Sequence, residues 1–203
     1  LALALLKEAG WKVHALHFLL PASPQSRKQR ANAARRIAAH LNISLEMIDL
    51  TEAFQEKVIE PFVREYLEGL TPNPCVRCNE LVKFEYLMQY ADDRGIPWIA
   101  TGHYARIKRG KGESQAELWR GRDRGKEQSY FLHRLNCSHL SRIIFPLGEM
   151  TKEGVKSQAK EREIIAHSIP ESREICFIPG NDYRLFIDEQ KRGAGEVRKG
   201  NIV

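Results

Sequence analysis

The chain has 203 residues, 42% of them hydrophobic and 29% charged, which is enough apolar content for one sizeable core, or a main domain with an appendage, and excludes a disordered chain. No apolar run approaches the roughly 20 residues that a membrane-spanning helix needs, since Leu1 to Leu6 is followed at once by Lys7 and Glu8. A net charge of +6 and a pI near 9.2 favour a polyanionic partner, and four cysteines are too few for a disulfide scaffold, so a reducing cytoplasm is the expected compartment.

The opening LALALLKEAG lacks the basic leader and cleavage pattern of a signal peptide and reads as a helix stump, its beginning missing, stopped by Gly10. A strand follows over Lys12 to Leu20, a basic helix over Ser26 to Leu41, a strand over Leu45 to Leu50 and a helix over Thr51 to Leu67. After the loop Thr71 to Asn79, Leu81 to Arg94 has helical spacing, with Leu81, Phe84, Leu87 and Met88 on one side, and Trp98 to Thr101 is a short buried strand. Tyr104 to Trp119 reads as a hairpin with a Gly-Lys-Gly turn, Gln128 to Leu140 as helical, Phe145 to Gly148 as a turn and Lys152 to Arg162 as a helix. The tail from Ile175 is mixed, and Val197 to Val203 reads as the start of another strand. Strand and helix in alternation imply an α/β fold with a parallel sheet covered on both faces. Functional groups are then expected after Leu20, Leu50 and Ala100, at the carboxyl ends of strands.

The densest chemistry is TPNPCVRCN, Thr71 to Asn79. Two prolines fix the approach, Cys78 and Asn79 fall near the expected helix start, and Arg77 lies between the thiols, so at least one cysteine is expected to have a lowered pKa. The alternative is half of a zinc site, which would need further ligands. Cys176, between Ile175 and Phe177, could be a small buried hydrophobe, and Cys137 is assigned to packing. In TGHYAR, Gly102 permits close backbone approach of a ligand, with His103 and Tyr104 as polar neighbours. In GKEQSYFL, Lys126, Glu127 and Gln128 precede an aromatic run, a pattern suited to RNA; the other reading is a polar helix entry with Ser129 and Tyr130 packed. Arg27, Lys28, Arg30, Arg35 and Arg36 form one basic cluster, and Arg106, Lys108, Arg109, Lys111, Arg120, Arg122, Arg124 and Lys126 another. Each is either a phosphate-facing surface or a solvated face.

In this order the segments resemble the tRNA 2-thiouridylase family of PP-loop ATP pyrophosphatases. The matching stretches are TPNPCVRCNELVKF, IATGHYARI, GKEQSYFL, FPLGEMTKEGVKSQA and ESREICFIPG, with a looser match over Leu1 to Leu50. The resemblance implies a Rossmann-like nucleotide-binding catalytic domain over residues 1–145. Residues 146–203 would be a helical and mixed connecting region that carries Cys176 and the start of a small β-domain, the whole truncated at both ends. It implies ATP with Mg2+, adenylation of the C2 oxygen of a wobble uridine in tRNA, and sulfur transfer from a persulfide carrier or sulfide. Cys78 would be the nucleophile and Cys176 the persulfide carrier, the two exchanging as a disulfide when sulfur leaves. Asn73, Pro74 and Cys75 would touch the target base, Lys126, Glu127 and Gln128 the tRNA, and Phe18 and Gly102 would line the ATP site.

Four departures stand out. The family's phosphate-gripping S-G-G-V-D-S loop belongs immediately before Leu1, and a longer excursion usually stands at Pro21 to Gln29. Many relatives have Asp in place of Cys75, and Glu127 replaces an Asp. Cys75, Cys78 and Cys176 could therefore hold a [4Fe–4S] cluster with one open iron, an alternative to the persulfide. Other functional readings are a catalytically silent RNA-binding remnant and a PP-loop enzyme that adenylates a substrate other than tRNA. The thiolation reading requires the three cysteines to meet beside a nucleotide pocket.

Overall fold

The computed structural model describes residues 1–110, 115–164, 175–178, 180 and 182–190. Helix α1, Ala2–Glu8, is closed by Gly10 at φ +83°, whose N–H and that of Trp11 return to Lys7 and Leu6 carbonyls. Strand β1, Ala15–Leu19, leads through Ser23, which caps α2 (Pro24–His40) by accepting from Ser26 N–H, into β2, Leu45–Asp49. β1 and β2 pair in parallel from Ala15 opposite Leu45 to Leu19 opposite Asp49, with α2 as the crossover that parallel neighbours need.

The helix expected over Thr51 to Leu67 is continuous but not uniform: α3 (Thr51–Phe54) widens into a π-turn, Gln55–Ile59, before α4 (Glu60–Leu67). Pro61 accounts for the widening, because its ring would crowd the carbonyl four residues back and it has no N–H to return. The next helix starts seven residues earlier than its apolar spacing suggests. Asn73 caps α5 (Pro74–Cys78), which continues through a second π-turn, Asn79–Phe84, into α6 (Glu85–Asp93). Both cysteines of the loop are therefore helical.

β3, Ile99–Ala100, pairs in parallel with β6, Ile143–Ile144, and β4 (Ala105–Arg109) pairs antiparallel with β5 (Ala116–Arg120). Lys111 and Gly112 of the expected hairpin turn lie outside the described residues. Gln128 to Leu140 is not one helix: a 3-10 turn, Ser129–Leu132, is separated from α7 (Cys137–Ser141) because Asn136 caps the latter through His139 N–H. Helix α8, Lys152–Glu161, and α9, Tyr183–Gln190, complete the described elements. The fold is α/β, as expected, but the parallel strands form two pairs rather than one continuous sheet. β1 and β3 stand on the walls of a cavity that separates the pairs.

Three apolar clusters hold these pieces. The first joins Phe54, Val58 and Phe62 to Cys78, Val82 and the later Phe177, Ile178, Phe186 and Ile187; the second packs α6, the hairpin and β6; the third packs α1 against Ala159 and Ile164. Gly148 lets the 146–149 turn press on the hairpin, since a Cβ there would meet the Ala105 carbonyl oxygen at 2.0 Å. Among the described residues no helix is long and apolar enough to cross a membrane.

Phe62 is 1% exposed and meets Tyr66, Phe177 and Phe186 edge to face, so it fastens α9 and the Cys176 turn to α4. Phe62→Ala is expected to cost about 3–5 kcal/mol in urea unfolding, and a loss under about 1 kcal/mol would contradict this anchoring.

Candidate functional site

The site begins at the start of α5. Asn73 Oδ1 accepts from Val76 N–H at 3.3 Å, and Pro74 opens the helix without wasting a donor. Cys75 is half-buried, and Cys78, one turn on, is 5% exposed in the cluster that includes Phe177. Burial decides their acidity. The Cys78 thiol is pushed up to about 11, chiefly by desolvation, and Cys75 is also raised, chiefly by desolvation. The lowered pKa expected from Arg77 and the helix start is thus corrected. Arg77 is turned to Glu65, 2.9 Å away, and α5 is only five residues long before its hydrogen bonding changes. The cation that opposes burial at both thiols is Lys83, in the second π-turn.

Cys176 is exposed, in a turn closed by Ile178 N–H to the Ile175 carbonyl. Its neighbour Phe177 plugs into the core edge to face on Phe54 and Phe62, at 5.4 and 5.5 Å between ring centres. This leaves the thiol outside on an anchored turn, close enough for its charge to raise the pKa of both Cys75 and Cys78. Cys137, assigned to packing, is instead exposed on α7. Among the described residues no group of three or more His, Cys, Asp or Glu side chains converges as metal ligands.

Asn79 ties this helix to the segment carrying the expected RNA contacts. It is 4% exposed, and its Nδ2 donates to the Cys75 carbonyl at 3.0 Å and to the Phe131 carbonyl at 3.3 Å. Its Oδ1 has no partner among the described residues. Gln128 is docked inward: its Oε1 accepts from Tyr104 N–H at 3.0 Å while its own N–H returns to the Tyr104 carbonyl. Glu127 Oε2 accepts from the Ser129 hydroxyl and N–H, at 2.6 and 3.1 Å, and those bonds hold its carboxyl below the usual range. Lys126 is exposed. Tyr130, one of the residues that could have been packed, is 61% exposed.

On the other side of the π-turn lies a cavity of about 840 Å³, lined by α1, β1, α6 and β3, with Phe18, Lys83, Gly102 and His103 among its walls. A Cβ at Gly102 would meet nothing nearer than the Leu147 side chain at 3.6 Å, so packing within the chain does not demand glycine there. His103 lies against Phe84 and Phe145 and shares a 2.6 Å hydrogen bond with the Thr101 hydroxyl. Burial, with Lys83 adding to it, pushes its pKa down to about 3, so the ring is neutral at physiological pH.

The basic clusters are partly consumed by the fold. Arg27 pairs with Asp49, Arg106 with Glu149, and Arg109 donates to the Ser141 and Ile143 carbonyls; Lys111 lies outside the described residues. Lys83 drew no role from the sequence, Asn79 only a place near the helix start and Tyr130 only a packing one. For Asn79 the legible signal was its place four residues after Cys75, where a side-chain amide reaches back to a helical carbonyl.

A family model described as the tRNA methyl transferase HUP domain matches residues 1–180. The tRNA-specific 2-thiouridylase MnmA of Geobacter metallireducens is 49% identical over 170 residues, 84% of this chain and 45% of that protein. The protein of the same name from Carboxydothermus hydrogenoformans is 45% identical over 172 residues (85% and 47%), and that from Nitratidesulfovibrio vulgaris 43% over 199 residues (96% and 56%). The chain spans about half the length of the curated relatives it matches.

Two measurements check the electrostatics. In the native chain at pH 7.5, iodoacetamide followed by peptide mass spectrometry is expected to label Cys176 and Cys137 at least ~10-fold faster than Cys78, and Cys78 to catch up on unfolding. Equal native rates would refute the buried thiol. For His103, the folded pKa lies below the unfolded value of about 6.5, so the unfolded chain binds the extra proton and stability falls as pH drops from about 6.5 toward 3. His103→Gln should flatten that part of the pH–stability curve, and an unchanged slope would count against the assignment.

Proposed function

This chain belongs to the tRNA methyl transferase HUP domain family, beside the tRNA-specific 2-thiouridylases it resembles, and from that premise we propose that it is the thiolation part of a tRNA 2-thiouridine synthase acting in the cytoplasm. The observation that carries the reading is the pairing of an exposed Cys176 on an anchored turn with a buried Cys78, in electrostatic contact, on a helix that also borders the large cavity through Lys83. Nucleotide binding and catalysis fall to residues 1–145, and 146–203 supply Cys176.

The cavity is of a size for a nucleotide, and Phe18 and Gly102 on its wall suit an adenine ring and a close backbone approach. ATP, with Mg2+, is the co-substrate. The uridine C2 oxygen attacks the α-phosphorus and pyrophosphate leaves, which turns a poor leaving oxygen into AMP. Cys176, being exposed, takes up sulfur from a persulfide donor. The terminal persulfide sulfur attacks C2 and AMP departs. Cys78 then attacks the Cys176 sulfur, the S–S bond breaks toward the uridine to leave the 2-thiocarbonyl, and the Cys78–Cys176 disulfide is reset by a thiol reductant. Keeping Cys78 protonated and buried until that last step protects it from premature exchange. The persulfide route is the one followed here, with a [4Fe–4S] cluster on Cys75, Cys78 and Cys176 as the alternative sulfur carrier. Asn73, Pro74 and Cys75 at the helix start are assigned to the target base. Lys126, Glu127 and Gln128 serve the tRNA, Lys126 directly and the other two by fixing the turn that carries it.

Thionucleoside analysis of tRNA from a deletion strain tests this. The full-length gene should restore 2-thiouridine, Cys78→Ser and Cys176→Ser should each lower it ~100-fold or more, and Cys137→Ser should restore it fully. Normal 2-thiouridine in the deletion strain, or with Cys176→Ser, would overturn the reading.

A further inference from the structure

A small polar pocket of about 160 Å³ opens beside the thiol helix, lined by Asn73, Arg77, Glu65, Tyr130, His133 and Arg134. None of the cysteines lines it, so whatever it holds is not the group that reacts with sulfur. Tyr130 is 61% exposed, which is unusual for a residue inside an aromatic run, and its ring is held from two sides: Phe131 edge-on at 5.6 Å and His133 tilted at 5.8 Å. A large flat side chain fixed in orientation and left bare to solvent is a stacking platform.

The hydrogen-bonding groups at the pocket have set polarity. Asn73 Oδ1 is occupied by the α5 cap, which leaves its amide nitrogen as the donor. His133 Nδ1 lies 2.7 Å from the Tyr130 carbonyl oxygen, which can only accept, so Nδ1 carries the proton and in the neutral ring Nε2 is an acceptor. Arg77 and Arg134 are tied to Glu65 and Glu80, at 2.9 and 3.1 Å, which fixes both guanidinium groups beside the opening. One donor, one acceptor and an aromatic face match the edge and face of a single nucleobase, and about 160 Å³ has room for one base but not for two.

We propose that this pocket receives an unpaired base neighbouring the reacting uridine, stacked on Tyr130 and held at its edge by His133 and by one N–H of the Asn73 amide, whose other N–H remains for the target base. The inference rests on RNA being the substrate. Because Asn79 bonds the Phe131 carbonyl as well as the Cys75 carbonyl, a base seated on Tyr130 is held in fixed register with the thiol helix.

The test uses the full-length protein and an RNA hairpin whose unpaired loop carries 4-thiouridine. Photocross-linking to the wild type, mapped by mass spectrometry, should mark residues 129–134. Tyr130→Ala should weaken hairpin binding about tenfold, and Tyr130→Phe should stay within about twofold of wild type, since stacking needs the ring and not the hydroxyl. Cross-links confined to other segments, an unaffected Tyr130→Ala, or a Tyr130→Phe as weak as Tyr130→Ala would each overturn the platform while leaving the thiolation reading intact. Failure of the wild type to bind any hairpin or tRNA would overturn both. The cross-link map is made on the wild type, so it does not depend on how the variants fold.

Discussion

Desolvation of Cys78 is the constraint on which the rest of the site depends. A thiol in the middle of a helix, buried in one cluster with Phe177 and Val82, cannot ionise near neutral pH, whatever charge its sequence neighbour carries. Arg77 is paired with Glu65, which neutralises its charge locally, and Lys83 opposes burial without cancelling it. Reactivity at this site is therefore divided by exposure: an accessible cysteine outside and a protected one inside.

The same core positions the outer cysteine. Phe177 and Ile178 are buried with Phe54, Val58 and Phe62, and Ile175 packs against the cluster, so Cys176 stands between inward-pointing neighbours. An alternation of apolar, polar, apolar in a short turn is enough to expose one side chain while fixing its backbone. The π-turn before Pro61 belongs to this arrangement as well, since it lets α3 and α4 present Phe54, Val58 and Phe62 to the incoming turn without a break in the helix.

The period of apolar residues revealed each early strand and helix, because β1, α2 and β2 obey a single spacing rule and α1 before them has a clear stop at Gly10; the cap at Ser23, which starts α2 two residues before the expected Ser26, was not read. It misplaced the start of α5, where the apolar period begins only at Leu81 but the polar signals, Asn73 as cap and Pro74 at the first position, were already in view. The helix expected over Gln128 to Leu140 failed for the same class of reason: Asn136 captures His139 N–H and starts a new helix. Neighbouring basic residues also misled. Arg77, Arg106 and Arg109 look available in a linear reading, and it is partners 12 to 43 residues away that occupy them. The approach of Cys176 to Cys75 and Cys78 was suggested only by family resemblance, since no local rule links positions a hundred residues apart.

Lys83 makes the two halves of the site electrically dependent. It lies in the second π-turn, one wide turn past Cys78, where it acts on both thiols; it also lines the cavity that holds Phe18 and Gly102 and helps keep His103 neutral. Coulomb interactions over this range are strengthened by apolar surroundings, with Phe84 and Phe145 packed on His103. A neutral imidazole and a single ammonium group leave that side of the cavity with one positive charge rather than two. Lys83 is therefore shared between the two halves, a wall of the cavity on one side and, on the other, the cation that opposes burial at Cys75 and Cys78.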